Sequence, residues 1–345
     1  MAISEGQHQG FEKFLFRDLH PNVCMGTASD RYEGWIGQIY TKEKFEGKIS
    51  RRPKMIGGKS LSEGVLPIES VLEYFEHFPV LELDFTFYAL LLDKDLKPTQ
   101  NHRILEIYRR NLTASDRLIL KVPQVIFAQK LRREGKFGEN PDYLDVDLFV
   151  RHFYEPALHI LGDLIAGFLF EQEYQVKKER VPAAQYAEAL DRFFSRVPED
   201  HRYHVEVRTD SLLSQACFDS LEKHGIGQAL SHWTWLPPLQ KQFAKTSGRF
   251  LNSGKQCLIR LMTPLGMKYE EAYAKAFPFD KLVDGMMSPQ MVEQTAAIMI
   301  SAVQEGVRAN VIINNRAGGN APQIAQKVAA KFSELITAPR FCARP

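Results

Sequence analysis

Residues 310–337 read NVIINNRAGGNAPQIAQKVAAKFSELIT. Asn310–Ile313 is a short apolar run of strand type, and Pro322–Thr337 carries apolar residues at helical spacing. Between them lies a turn containing Gly318 and Gly319. Asn320 then offers an N-cap amide, and Pro322 sits where a helix needs no backbone donor. A strand, a tight turn and a helix make one βα unit.

The same pattern runs through the rest of the chain. Strand-like runs precede it at Val23–Thr27, Val80–Phe85, Leu118–Val122, Phe168–Phe170 with its flanks, His204–Val207, Ile226–Leu230 and Cys257–Leu261, which makes eight. Helical patterns fill the intervals at Ile68–Phe78, Val146–Leu161, Pro182–Val197, Ser211–His224 and Pro289–Gly306; Pro67 and Ser288-Pro289 mark two of the starts. Eight such units over about 320 residues predict an α/β fold, a (β/α)8 TIM barrel with loop insertions. The expected organisation is one domain over 1–345, with a core of about 22–338. A doubly wound open sheet is the alternative. It would carry a glycine fingerprint after its first strand, and GTASDRYEG (26–34) is not GxGxxG. Two segments read as insertions, TKEKFEGKISRRPKMIGGKSLSEGVL (41–66) and KLRREGKFGENPDYLD (130–145). Both are polar and turn-rich, so they are expected as solvated surface loops, or as lids over a barrel mouth.

Composition narrows the class. Lys plus Arg is 44 and Asp plus Glu is 42, a formal charge of +2, which argues against a dedicated polyanion binder. The longest apolar runs, Leu164–Phe170 and Ala296–Val303, fall far short of the ~20 residues of a membrane helix, so no membrane partner is expected. The start, MAISEGQHQGFEKF, shows no apolar segment behind a basic one, and thus no secretory signal. Cys24, Cys217, Cys257 and Cys342 are widely spaced without a CxxC pair. A cytoplasmic location is expected, with Cys24 and Cys257 buried in strands as small apolar residues.

In such a barrel, chemistry collects at the carboxyl ends of the strands. Those ends are polar here. In LELDFTFY (81–88), Glu82, Asp84 and Thr86 share a face by the strand period of two. Lys121 and Glu171 end the third and fourth strands. Glu206 and Arg208 lie in HVEVR (204–208), Arg260 in CLIRLM (257–262), and Asn314 and Asn315 close the eighth strand. Charges within apolar strands are costly unless paired, and their natural partners are one another. Glu206 is the candidate general acid or base, tuned by Arg208, with Glu171 as second carboxylate; such a pair suits glycoside hydrolysis or sugar isomerisation. Lys121, Arg208 and Arg260 are candidates for holding anionic groups, and Asn314 for orienting a substrate. The strand-eight exit, 313–326, reads either as a phosphate cradle at a helix start or as a plain capped turn. His232, Trp233, Trp235, Tyr32 and Trp35 also stand at strand exits, as a base or stacking surfaces or as packing. His152 and His159 match no ligand spacing and read as surface residues.

The ordered pieces GTASDRYEGWIGQIY (26–40), LELDFTFY (81–88), HVEVRTDS (204–211), IRL (259–261) and INNRAGGNAP (313–322) resemble the DUF72 (YecE-like) family of TIM-barrel proteins over nearly the whole chain. The resemblance implies a single (β/α)8 barrel with a polar strand-end pocket. Matching pocket positions are Thr86, Tyr88, Lys121, Glu206, Arg208, Arg260 and Asn314. The chain departs from the family pattern at Ala28, Ser29 and Asp30, where Ser-Gly-Trp is usual, and at Thr209 and Met262, where histidine is usual. Asp84 stands for Asn and Glu171 for Gln, so the pocket gains acid.

Three readings of function follow. The first is an enzyme, a hydrolase or isomerase, using carboxylate acid–base chemistry on a small polar substrate that is sugar-like or phosphorylated; the sequence names no cofactor. The second is a metal-dependent DNA phosphodiesterase of the endonuclease IV type. That site gathers several His, Asp and Glu side chains around its metals, and these strand ends are histidine-poor, so nucleic acid is not the favoured partner. The third is a non-catalytic ligand-binding protein.

Overall fold

The computed structural model describes residues 13–133 and 136–338. In chain order its strands are β1 (Val23–Ala28), β2 (Ser50–Ile56), β3 (Lys59–Val65), β4 (Val80–Leu83), β5 (Arg117–Lys121), β6 (Lys130–Arg133), β7 (Lys136–Glu139), β8 (Ile165–Glu171), β9 (Tyr203–Glu206), β10 (Gly227–His232), β11 (Gln256–Leu261) and β12 (Arg308–Ile313). Eight of them close a parallel barrel in the order β1-β12-β11-β10-β9-β8-β5-β4, each at a position expected from sequence. Every residue of β10 and β11 is buried, as strands covered on both faces require. Helix starts follow the expected chemistry. Ser288 and Asn320 each accept, through the side chain, a backbone N–H three residues on.

The two inserted segments are not plain loops. β2 and β3 form an antiparallel hairpin from Ser50↔Val65 to Ile56↔Lys59, turned by Gly57 and Gly58, both with positive φ. Two such residues in sequence are what a tight hairpin turn demands. β6 and β7 form a second hairpin, Lys130↔Glu139 to Arg133↔Lys136. Helices at Gln100–Arg110, Leu239–Lys245 and Tyr269–Ala276 complete the barrel's coat. The expected helix 146–161 changes pitch in its middle, with a π turn at Val150–Tyr154. Pro156 explains it. It has no N–H to give to the carbonyl of His152, which instead accepts from Leu91 and Leu92 at 3.1 Å each.

The second barrel strand is shorter than its sequence suggests. β4 stops at Leu83, and Asp84–Phe87 is a 3-10 turn, because the Thr86 hydroxyl donates back to the Leu83 carbonyl at 3.0 Å. The expected common face of Glu82, Asp84 and Thr86 therefore does not form.

The chain divides into two compact units. Unit one comprises Met1–Leu81, Ser231–Gln240 and Ile259–Pro345. Within it, Ile56 packs with Ala272, Tyr273, Ala276, Phe279 and Met286, which seats the first hairpin on the helix Tyr269–Ala276. Gly26 in β1 lies against the Val80 carbonyl oxygen so closely that a Cβ would collide with it. Unit two comprises Glu82–Leu230 and Lys241–Leu258. Its core is aromatic: the Phe149 ring lies 5.2 Å from Phe170, 5.7 Å from Phe193 and 5.9 Å from Tyr203. Burying one such side chain stabilises by roughly 2–3 kcal/mol.

Cys217 and Cys257 are buried, whereas Cys24 is half-buried, and Cys342 lies outside the described residues. Among the described residues no helix is long and apolar enough to cross a membrane.

Candidate functional site

β4, β5, β8 and β9 are neighbours in the barrel, and their carboxyl ends carry charge. In unit two the contacts form a chain of alternating sign. Lys121 Nζ lies 3.5 Å from Asp84 Oδ1 and 2.8 Å from Glu171 Oε2. Arg208 Nη1 lies 2.6 Å from Glu171 Oε1, and its Nη2 lies 3.3 Å from Glu206 Oε2. Lys121, Glu171 and Glu206 are buried, and Arg208 and Asp84 only partly exposed. Glu171 and Glu206 stand directly opposite each other in the β8–β9 register. Two like charges so placed repel, and the guanidinium fork of Arg208 bridges them. Asp84, Glu171 and Glu206 against Lys121 and Arg208 leave one net negative charge.

Side chains not singled out in the sequence hold this chain in place. The Lys121 ammonium lies 4.1 Å from the Phe87 ring centroid, a cation–π contact made by the 3-10 turn after β4. Gln172 Oε1 accepts from the backbone N–H of Arg208 at 3.0 Å and of Thr209 at 3.1 Å. In return Thr209 Oγ1 accepts from Gln175 N–H at 3.0 Å. The exits of β8 and β9 are thus tied twice, and the tie fixes the backbone that carries Arg208. Gln172 Nε2 is buried with no hydrogen-bond partner among the described residues, an amide donor left over. The available signal was a polar amide directly after a strand-end carboxylate.

The other expected residues divide. Thr86 is buried, but its hydroxyl is spent on the carbonyls of Leu83 and Lys121, so it ties β4 to β5 rather than facing a substrate. Tyr88 follows the turn that ends β4 and is 71% exposed, its ring edge-on to Phe87.

Arg260, Asn314 and Asn315 belong to unit one and are buried there. Asn314 Oδ1 accepts from Arg316 N–H at 3.0 Å. Asn315 Oδ1 accepts from Trp35 Nε1 at 3.1 Å and Ala321 N–H at 2.8 Å, which makes Trp35 packing rather than a stacking surface. Each amide nitrogen, Nδ2 of both residues, is buried without a hydrogen-bond partner among the described residues. The strand-eight exit is a capped turn. The N–H groups of Ala321 and Gln323 already donate to Asn315 and Asn320, and Pro322 has none. Gly319, with φ +112°, is required by the Lys281 carbonyl, which its Cβ would strike.

His232, at the end of β10, is buried, and burial pushes its pKa down to about 4. The ring is neutral near pH 7, with Nδ1 donating to the Thr263 carbonyl at 2.9 Å. Trp235 is 42% exposed. His152 is half-buried and His159 exposed, as expected of surface residues. Among the described residues no three His, Cys, Asp or Glu side chains are arranged to hold a metal ion.

The fold and the strand-end charges define a (β/α)8 barrel protein with a polar, carboxylate-rich mouth. The chain belongs to the DUF72 family, described as a protein family of unknown function, whose model matches residues 25–341. It is similar to a DUF72 family protein from Thermotoga maritima solved at 2.20 Å, with TM-score 0.54 and 16% identity, covering 92% of this chain and 99% of that one. A DUF72 family protein from Enterococcus faecalis solved at 3.10 Å gives TM-score 0.53 and 14% identity, covering 90% and 95%. At these identities the likeness is one of fold. No curated protein matches the chain.

Proposed function

We propose that the chain is an enzyme that moves a proton on a small polyhydroxylated carbonyl substrate, an isomerase-type reaction on a sugar-like molecule. The observation that carries this reading is the Glu171–Arg208–Glu206 bridge. A two-carboxylate hydrolase needs the scissile bond between its carboxyl groups. Here a guanidinium lies between them, which favours proton transfer by one carboxylate over bond cleavage by two. Glu206 is the proton-transfer group, taking the proton from the carbon beside the carbonyl and returning it to the carbonyl carbon, while the hydroxyl proton of the first carbon passes to the former carbonyl oxygen. Lys121 and Arg208 supply positive charge for the developing enediolate oxygen. Glu171, which accepts from both cations, fixes their positions.

The net negative charge of the chain of contacts, and the engagement of both cations, favour a neutral sugar over a phosphorylated one. Gln172 Nε2 is a donor suited to a substrate hydroxyl.

The test is incubation with a panel of aldoses and ketoses in deuterated water, followed by NMR. Deuterium appearing beside the carbonyl, with interconversion of aldose and ketose, is the expected result. A ligand that raises the melting temperature without being transformed would instead support a binding protein. Turnover of sugar phosphates alone would overturn the choice of substrate.

A further inference from the structure

Arg316 is half-buried in the 3-10 turn Asn315–Ala317, which follows β12 in unit one. The turn is firmly held. The Arg316 N–H donates to Asn314 Oδ1, and the N–H groups of Gly318 and Gly319 donate to the Asn315 carbonyl at 3.2 and 2.7 Å. The Arg316 guanidinium lies 4.5 Å from the centroid of the Tyr269 ring. Tyr269 opens the helix Tyr269–Ala276, whose Ala272, Tyr273 and Ala276 are packed into the core with Ile56 and Phe279. Both halves of the stack are thus fixed by the fold, and with Tyr269 40% exposed the stack reaches the surface.

What the guanidinium lacks is an anion. Its Nε is buried with no hydrogen-bond partner, and none of its nitrogens forms an ion pair with the described residues. Other half-buried arginines of unit one are engaged: Arg17 donates to the Phe75 carbonyl and Arg31 to the Leu66 carbonyl. Nearby acids have cations of their own. Glu271 pairs with Lys275 at 2.9 Å, Glu63 with Lys54 at 3.6 Å, and Glu33 with Arg51. A cation withdrawn from water without a counter-charge is costly. Stacking on a tyrosine face offsets part of that cost and leaves the in-plane N–H groups free at the edge of the fork. Two oxygens of a carboxylate or phosphate match such an edge and supply the missing charge.

We propose that Arg316, stacked on Tyr269, is the recognition point for an oxyanion, the carboxylate or phosphate group of a small ligand. The side chain makes the contact, because the helix behind it has its first N–H groups already engaged. Tyr269 is a positioning residue that holds the guanidinium plane. The site does not rest on the proposed reaction, whose charged residues belong to unit two and whose neutral sugar would not use it.

The side-chain Nε–Hε signal of Arg316, followed by NMR in the unaltered chain, tests the proposal without a variant. Sodium phosphate and sodium acetate are titrated separately at constant ionic strength, with sodium chloride as the control. A shift that saturates at about millimolar anion is the expected result. Saturation by phosphate alone would point to a phosphorylated ligand, and saturation by acetate to a carboxylate. The same anion should raise the thermal midpoint of the unaltered chain and of Glu206→Gln alike, which keeps this test separate from the catalytic assignment. Binding should vanish in Arg316→Gln and weaken about tenfold in Arg316→Lys, which keeps the charge but loses the fork. It should persist in Tyr269→Phe and weaken in Tyr269→Leu. A shift that never saturates or that chloride reproduces, or undiminished binding in Arg316→Gln, would overturn the proposal. So would a signal that moves with a neutral sugar and with neither anion.

Discussion

At the ends of β5, β8 and β9 the polar side chains are charged and satisfy one another, Lys121 and Arg208 lying against Glu171 and Glu206. At the end of β12 they are neutral amides whose oxygens satisfy the backbone and Trp35. The contrast separates two uses of polarity at the same position in a barrel. An amide oxygen that completes a turn or caps a helix is committed to the fold. Charges that balance side chain against side chain keep one another in place and remain available to a substrate, since a ligand can exchange one partner for another. Chemistry is therefore proposed at the charged ends; at the β12 exit the amide oxygens serve the fold, while Asn314 Nδ2 and Asn315 Nδ2, buried without a hydrogen-bond partner among the described residues, are left over as Gln172 Nε2 is at the charged ends.

Substitutions can break or sharpen that contrast. The largest stability effect is expected at Lys121. Lys121→Met takes away a cation that contacts buried Glu171 and should destabilise by about 3–5 kcal/mol in urea unfolding. Adding Asp84→Asn and Glu171→Gln, which removes two carboxylates that contact Lys121, should recover much of that loss. No recovery would mean the charges are not coupled as described.

The next effect is acid sensitivity, with one histidine in each unit. Burial pushes His204 in β9 and His232 in β10 down to about 4. Because the folded values lie below the unfolded one, the stabilisation is complete above about pH 6.5 and is lost as pH falls towards 4. Each residue accounts for at most about 3 kcal/mol over that window. His232→Gln should flatten part of the slope of unfolding free energy against pH.

The smallest effect is expected at the β12 exit. Asn320→Ala removes the acceptor for Gln323 N–H and should cost about 1 kcal/mol by thermal or urea unfolding, while leaving turnover unchanged. A large loss of activity with little loss of stability would move the β12 exit into the site.

The barrel was legible because each βα unit announces itself: apolar runs of strand length, proline and asparagine at helix starts, and no competing fingerprint. The charged chain was legible too, since Lys121, Glu171, Glu206 and Arg208 interrupt runs that are otherwise apolar. What stayed hidden depends on contacts distant in sequence. The Thr86 hydroxyl ends β4 through carbonyls of Leu83 and Lys121, so the alternation in 81–88 predicted a face that the turn destroys. The Gly57-Gly58 pair was a hairpin signal masked by the polarity of its flanks. Gln172 and Gln175 are ordinary letters until the exits of β8 and β9 are brought together.

Glu206 and Glu171 do different work in the proposed reaction, the one moving the proton and the other holding the cations. The most direct measurement is turnover of the responsive sugar alongside the thermal midpoint, in Glu206→Gln and Glu171→Gln. Glu206→Gln should fall by about 10³-fold in kcat with its midpoint nearly unchanged. Glu171→Gln should lose several degrees of stability, because buried Lys121 and half-buried Arg208 lose their shared partner, and retain measurable turnover. A Glu206→Gln protein that turns over at the rate of the unaltered chain would contradict the assignment of proton transfer to this residue.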